Sequence, residues 1–165
     1  MKKTGIFYGS TTGTTEDVAH RIARRLKVAD SDIHNVATAA PSDVEPYDLL
    51  VLGTSTWGAG DLQDDWEDFA NGLSELSLKG KKIALFGCGN ETMADTFCNG
   101  VGTLHERLKN TGAEFVGAFP DTVYHFDKSL ADQGDGVAVG LLLDEVNHPE
   151  LTDGRITEWV SLLPA

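Results

Sequence analysis

The fold is indicated by an apolar strand that runs directly into a hydroxyl-rich turn: Ile6-Phe7-Tyr8-Gly9-Ser10-Thr11-Thr12-Gly13-Thr14-Thr15-Glu16. Downstream of the turn, Val18, Ile22 and Leu26 recur four positions apart, which predicts an amphipathic helix over residues 14–28. A strand, a turn and a helix in immediate succession are typical of the α/β class. The same unit recurs along the rest of the chain.

Further strands are predicted at residues 33–36, 49–53, 82–87 and 115–116. Further helices are predicted at residues 62–76, at 97–111 with Gly112 ending the helix, and at 151–163 with Thr152 and Asp153 as the cap. The strands are continuously apolar rather than alternating, which indicates burial on both faces. The sequence predicts an α/β fold: a doubly wound, five-stranded parallel sheet with helices on both faces.

A polar, glycine-rich stretch at about residues 117–138 separates the fifth strand from a second apolar run at residues 139–143. This stretch is too long for a plain connection in a compact domain. We therefore predict an insertion that interrupts the last strand and lies within a single domain of residues 1–165.

The chain is strongly acidic, with 13 Lys and Arg against 26 Asp and Glu and a formal charge of −13. This charge disfavours nucleic acid and anionic membranes and favours partners with basic surfaces, although solubility alone would also explain it. The acidic run at residues 64–68 is equally open to two interpretations, a solvated helix face or a docking site. Residues 6–8 are too short for the apolar part of a signal peptide, and no stretch is long enough to span a membrane. We expect a cytoplasmic monomer.

The cysteines and histidines form no recognisable metal or redox motif. Cys88 and Cys98 lack CxxC spacing and are predicted to be buried packing residues. The histidines are scattered and are predicted to lie on the solvated surface. They are His20, His34, His105, His125 and His148.

The turn after the first strand predicts a phosphate site, because five of the six residues from Ser10 to Thr15 carry hydroxyls and a helix N-terminus follows. The turn has no lysine, so it is not a nucleoside triphosphate loop, and it lacks the G-x-G-x-x-G spacing of dinucleotide sites. The alternative is that Thr12 or Thr14 only caps the helix.

Two other loops leave the same edge of the predicted sheet, where such folds bind ligands. One is Thr54-Ser55-Thr56-Trp57-Gly58-Ala59-Gly60-Asp61. The indole of Trp57 beside glycine backbone suits stacking on a planar ligand, although it could instead cover the edge of the core. The other loop contains Phe86-Gly87-Cys88-Gly89-Asn90.

These three motifs, in this order, resemble the flavodoxin family, and the similarity extends over residues 3–160. The insertion at about residues 117–138 is similar to that of long-chain members. The resemblance implies a flavodoxin-like fold and a low-potential one-electron carrier, not an enzyme, that binds FMN tightly and passes through a neutral semiquinone. Implied partners are redox proteins: NADP reductases, other oxidoreductases, nitrogenase reductase or a photosystem.

The resemblance also implies roles for particular residues. The turn at residues 10–15 would hold the phosphate, Thr56 would reach the ribityl chain or the phosphate, and Trp57 would stack on the flavin. The Gly58 carbonyl would turn toward flavin N5, and residues 89–95 would border the pyrimidine end. The expected FMN-binding residues are Ser10, Thr11, Thr12, Gly13, Thr14, Thr15, Thr54, Ser55, Thr56, Trp57, Gly58, Ala59, Gly60, Cys88, Gly89, Asn90, Met93, Asp95, Phe97 and Cys98.

The chain departs from the family pattern at several positions. Met93 stands where a stacking tyrosine is usual, and Asn90-Glu91 replaces Asp-Gln. Val146 occupies a position that is often acidic near the ribityl chain. We expect Met93 to cover the outer flavin face with a softer contact than an aromatic ring, the alternative being that Met93 points inward and fills a gap in the core.

Two other functions share this fold. A flavin-dependent NAD(P)H oxidoreductase would need a nicotinamide pocket, and no second phosphate loop is visible. A receiver-type signalling module would need an acidic cluster at the end of the first strand, where this chain has Ser10 and Thr11.

Overall fold

The computed structural model describes residues 3–10, 12–57 and 61–164, without the side chains of Trp57 and Asp61. The strands are β1 Thr4–Gly9, β2 Ile33–Asn35, β3 Leu49–Trp57, β4 Asp61–Leu62, β5 Lys82–Cys88, β6 Glu114–Val116, β7 Phe119–Pro120, β8 Val137–Ala138 and β9 Leu141–Leu143. The helices are α1 Thr14–Leu26, α2 Asp64–Ser74, α3 Asn99–Leu108 and α4 Pro149–Val160.

The central sheet is parallel, in the order β2-β1-β3-β5, with its fifth position beside β5. That position is shared by two segments. β6 pairs with the first half of β5, where Val116 lies opposite Ala84, and β9 pairs with the second half, where Leu141 lies opposite Phe86. The short antiparallel pair of β7 and β8 joins the ends of the intervening segment. The predicted fold class and the interruption of the last strand are confirmed.

Helices cover both faces of the sheet because neighbouring strand residues point to opposite sides. Leu50 and Leu52 pack in the layer with α2 and α3, whereas Leu49 and Val51 pack in the layer with α1 and α4. Each layer contains one fully buried tryptophan. A side chain of this kind stabilises the fold by about 2–3 kcal/mol through burial alone.

The N–H group of each tryptophan donates to a backbone carbonyl. Trp66 Nε1 donates to Gly53 O at 2.7 Å, and Trp159 Nε1 donates to Gly117 O at 2.7 Å. Burial of the two rings therefore leaves no indole donor unsatisfied. The first bond fixes α2 against the central strand β3, and the second fixes α4 against the start of the insertion.

Two predicted helix boundaries are wrong. α4 begins at Pro149, so Thr152 is a fully buried residue inside the helix and not its cap. Proline suits the first helical turn because its φ is already helical and that turn needs no N–H donor there. α3 ends at Leu108, and Gly112, with a φ of 90°, belongs to the turn before β6.

The predicted burial of Cys88 and Cys98 is confirmed. Burial raises the pKa of the Cys88 thiol to about 12 and also raises the pKa of Cys98, so both stay protonated thiols near neutral pH. Among the described residues, no group of His, Cys, Asp and Glu is placed to hold a metal ion. No helix in the described part of the chain is long and apolar enough to cross a membrane.

The surface prediction for the histidines holds only for His125, which is exposed. His34 stacks on Phe7 with ring centroids 4.6 Å apart, and His105 packs 4.4 Å from Phe115. Burial lowers the pKa of His105. His20 and His148 are half-buried. Scattered histidines carry no periodic pattern, so these neighbours were not visible in the sequence.

Candidate functional site

A cleft opens at the carboxyl ends of β1, β3 and β5, the edge at which doubly wound sheets bind ligands. Three segments wall it: Ser10 with residues 12–15, which we call the first wall, residues 54–57, the second wall, and residues 89–96, the third wall. The lining residues are Thr12, Thr14, Ser55, Thr56, Cys88, Gly89, Asn90, Met93, Thr96, Cys98, Glu145 and Val146.

The N-terminus of α1 lies in the first wall, and no side chain among the described residues caps it. Gly13 occupies the N-cap position with φ 90° and ψ −7°, a left-handed conformation that glycine adopts without steric cost. Its N–H donates to Ser10 Oγ at 3.0 Å, which closes the turn. The capping alternative is therefore wrong, and the N–H groups and positive dipole end of α1 remain available to an anion.

Two hydroxyls beside the cleft are buried and lack a hydrogen-bond partner of normal geometry among the described residues. They are Thr15 Oγ1 in the first turn of α1 and Ser55 Oγ in the second wall. A buried hydroxyl left unpaired costs about 1–3 kcal/mol, so such groups point to a polar ligand or water. Phosphate and ribityl oxygens are suitable partners, so the first and second walls fit FMN.

The second wall is held by the start of α3. Thr56 Oγ1 accepts a hydrogen bond from Gly100 N at 3.0 Å, and a Cβ at Gly100 would lie 2.8 Å from Ser55 O. Only glycine permits this approach of helix to strand. Thr54 is buried below the cleft, and its hydroxyl donates to Ser55 O.

Several expected site residues lie outside the described residues. They are Thr11, the side chain of Trp57, Gly58, Ala59 and Gly60. Ring stacking by Trp57 and the reorientation of the peptide after Gly58 therefore stay predictions.

The third wall is bonded to its neighbours along its length. Gly89 N donates to Leu143 O at 2.9 Å, and Asn90 Oδ1 accepts from Asn147 Nδ2 at 2.8 Å. Ala94 O accepts two N–H groups of the insertion, from residues 127 and 128, each at 2.8 Å. The third wall thus rests on β9, on the β9–α4 connection and on the insertion.

Met93 lines the cleft with 56% of its surface exposed. The alternative that Met93 points inward as a core filler is therefore wrong. Val146, the other position at which the chain departs from its family, lines the cleft as well and is 68% exposed. Apolar side chains thus occupy the outer rim of the cleft.

Six of the expected residues do not line the cleft. Asp95 is exposed, and Phe97 is buried with its ring stacked 4.8 Å from that of Phe126. The others lie within the turn or beneath the surface: Ser10, Gly13, Thr15 and Thr54. Conversely, Thr96 and Glu145 line the cleft and were not predicted. The position of Glu145 in the cleft could have been predicted from the sequence, because this residue follows β9 at the edge where the other loops leave the sheet.

No lysine or arginine lines the cleft among the described residues. A cation reaches the lining residue Glu145 from α1: Arg21 is bonded to the Glu145 carboxylate, to Asp153 at 2.7 Å and to Asp17 at 3.3 Å. Burial opposes the charge of Arg21, but its bonds to Asp153 and Glu145 outweigh burial and raise its pKa. Three carboxylates thus neutralise this cation, and the cleft gains no net positive charge from it.

A hydroxyl-lined cleft with no lysine or arginine among its described residues, at the carboxyl edge of a doubly wound sheet, suits a protein that retains a cofactor rather than transferring its phosphate. The flavodoxin family model matches residues 6–159, and the chain belongs to the flavodoxin family. Members of this family are FMN-dependent electron-transfer proteins and not enzymes, which decides against the oxidoreductase and receiver alternatives.

Individual relatives are similar in sequence or structure to nearly the whole of this chain. Flavodoxin 1 of Salmonella typhimurium is 43% identical over 100% of this chain and 94% of its own length. Flavodoxin 1 of Escherichia coli is 44% identical over 97% of this chain and 92% of its own length. A crystal structure of a mutant Fusobacterium nucleatum flavodoxin bound to flavin mononucleotide has a TM-score of 0.90 and 32% identity, covering 98% of this chain and 95% of that one.

Proposed function

We propose that this chain binds FMN in the cleft and carries single electrons at low potential between redox proteins. The observation that carries the proposal is the buried hydroxyl of Ser55, which has no hydrogen-bond partner among the described residues. It lies in a cleft that also receives the N-terminus of α1, which no described side chain caps. FMN supplies the one-electron chemistry when bound. The chain supplies orientation, exclusion of water and electrostatic control of the potential.

Each wall has a part in this proposal. The first wall holds the phosphate through backbone N–H groups and hydroxyls, Thr15 among them. Ser55 and Thr56 bond the ribityl chain, and Trp57 and Met93 cover the two ring faces. The third wall borders the pyrimidine end, and the peptide between Gly58 and Ala59 responds to reduction.

The low potential follows from charge. Reduction places negative charge on the flavin, and a site that lacks cations and contains the Glu145 carboxylate opposes that charge. The net charge of −13 acts in the same direction over a longer range.

Partners in this proposal present basic surfaces: NADP reductases, other oxidoreductases, nitrogenase reductase or a photosystem. Support comes from α2, where Asp64 and Asp68 are exposed, whereas Glu67 is engaged by Arg107 at 2.6 Å. Opposite charge would steer such partners toward the cleft and would do so less effectively at high salt. We infer a cytoplasmic monomer of one domain, residues 1–165, with the insertion at about residues 117–138.

The visible absorption spectrum of the purified protein tests this function. We expect a flavin spectrum and, on stepwise reduction, a neutral semiquinone. A protein that stays colourless after refolding with FMN contradicts the proposal. Steady-state oxidation of NADPH by the protein alone would instead favour an enzyme.

A further inference from the structure

The carboxylate of Glu91 joins the third wall to two other parts of the chain. Its Oε2 accepts the N–H of His125, in the insertion, at 2.8 Å. Its Oε1 is hydrogen-bonded to Nε2 of His148, the N-cap residue of α4. The backbone N–H of Glu91 donates to Asp144, next to β9, at 2.9 Å. One residue thus fixes the third wall to two segments that are distant from it in sequence, the insertion and the β9–α4 connection.

Glu91 does not itself line the cleft, although Gly89, Asn90, Met93 and Thr96 around it do. Its side chain is only 13% exposed, whereas Thr92 and Met93 beside it are exposed. Several hydrogen bonds within the wall are local, such as Met93 N to Asn90 O at 2.9 Å, and these define a turn without fixing where the turn sits. Glu91 therefore acts on the cleft through its neighbours.

We propose that Glu91 is a positioning residue, whose pairing with His148 holds the third wall in place and makes the affinity of the cleft for FMN fall as pH rises. The predicted effect on FMN affinity rests on the proposed function, whereas the pairing of Glu91 with His148 is a property of the protein without cofactor.

The groups that face His148 are all acidic or neutral. Glu91 approaches Nε2, Glu150 of α4 lies 3.6 Å from Nδ1, Asp144 is close by, and the Tyr124 ring centroid is 6.0 Å away. The hydrogen bond to Glu91 raises the pKa of His148 above its ordinary value. The His125 N–H and, to a lesser extent, His148 lower the pKa of Glu91.

The direction of the pH dependence follows from these shifts. Because the pKa of His148 is higher in the folded protein, its stabilising contribution is complete below the unfolded pKa and is lost as pH rises through the folded pKa. The contribution of Glu91, whose folded pKa is depressed, is lost as pH falls through that lowered value. The pairing is therefore strongest between the lowered pKa of Glu91 and the raised pKa of His148.

Glu91→Gln tests the proposal because glutamine keeps the size and one acceptor but loses the charge. The control is Glu114→Gln, the same change in an exposed ion pair with Lys82 at the opposite end of β5. FMN affinity, from flavin fluorescence quenching, is compared at about pH 5.5 and about pH 8.5. We expect Glu91→Gln to bind about threefold more weakly than the wild-type protein at the lower pH and about equally well at the higher pH, the size of effect usual for a partly exposed pair. The ratio of the two affinities cancels the titration of the FMN phosphate, whose second pKa is about 6. The control should match the wild-type protein.

NMR titration of His148 in the full-length protein without FMN gives the second readout. Glu91→Gln should lower the pKa of His148 toward its ordinary value. His148→Gln should show the same affinity relative to the wild-type protein as Glu91→Gln at each pH, and the double variant should lose no more than either single variant.

An unchanged His148 pKa in Glu91→Gln, or an unchanged pH dependence of FMN affinity, would overturn the proposal. If the wild-type protein took up no FMN at any pH, the proposed function would fail instead. The His148 titration would then still decide whether the pairing exists.

Discussion

The first and third walls lie at the same edge of the sheet but use their polar groups in opposite ways. In the first wall, the N-terminus of α1 is uncapped by the described residues and Thr15 Oγ1 has no partner of normal geometry. In the third wall, Asn90, Glu91 and Ala94 all bond to distant segments of the chain. Unused donors make a surface that binds, whereas bonded groups make a surface that keeps its shape. A cofactor that must stay in place through repeated electron transfer needs both.

We predict that removing a group from the third-wall network mainly lowers the free energy of unfolding. Removing a hydroxyl from the first wall should instead mainly lower the affinity for FMN. The following substitutions test it, beginning with the largest expected effect.

Asp144→Ala should cause the largest loss. This fully buried carboxylate accepts from the N–H groups of Glu91, Val146 and Asn147, each at 2.9 Å, and these lose their acceptor. We expect the free energy of unfolding, from urea denaturation without FMN, to fall by about 3 kcal/mol. Asp68→Ala, an exposed position on α2, serves as the control and should change it by less than about 0.5 kcal/mol. Equal effects from the two substitutions would contradict the network.

Thr15→Val should separate affinity from stability. Valine keeps the shape of threonine but removes a buried hydroxyl that has no normal hydrogen bond in the protein. FMN affinity should fall about tenfold, while the free energy of unfolding without FMN stays constant or rises by up to about 1 kcal/mol. Thr152→Val is a matched control, because Thr152 Oγ1 is also buried without a hydrogen-bond partner among the described residues, but Thr152 belongs to α4 and does not line the cleft. An affinity loss of equal size in both variants would argue against phosphate binding by the first wall.

Met93→Tyr should give the smallest change. A tyrosine ring in place of this exposed thioether adds aromatic stacking at the rim of the cleft, and we expect FMN to bind about threefold more tightly. Isothermal titration calorimetry measures the difference. Leu130→Tyr, at an exposed position in the insertion, controls for added aromatic surface and should leave the affinity unchanged. If Met93→Tyr also leaves it unchanged, Met93 does not cover the ring.

Much of the fold was predictable because its signals are local. The strands β3 and β5 each contain a continuous apolar run, at residues 49–52 and 83–86, and the resumed apolar run at β9 revealed the interrupted strand. The first wall was equally visible, since its hydroxyls adjoin a helix N-terminus in sequence. Burial of Cys88 and Cys98 followed from their apolar neighbours.

The remaining features depend on contacts between residues far apart in sequence. Glu91 and His148 are separated by 57 positions, and neither belongs to a periodic pattern. Phe97 was expected at the cofactor but packs on Phe126, because the insertion supplies an aromatic partner that no local pattern announces. The start of α4 was misplaced because Thr152 matches a cap sequence, whereas Pro149 fixes the actual start.

The shared fifth strand position gives the molecule a natural site for new sequence. β6 ends with Val116 opposite Ala84 of β5, and β9 begins with Leu141 opposite Phe86, two residues or about 7 Å further along β5. The ends of the insertion are thus already closed, and each doubling of its length costs only about 0.6 kcal/mol of loop entropy. Gly134, exposed and with open space around its Cα, is a point where a peptide could be grafted without disturbing the residues that support the third wall. A new recognition element could be added there to redirect an electron carrier while its cofactor site stays as it is.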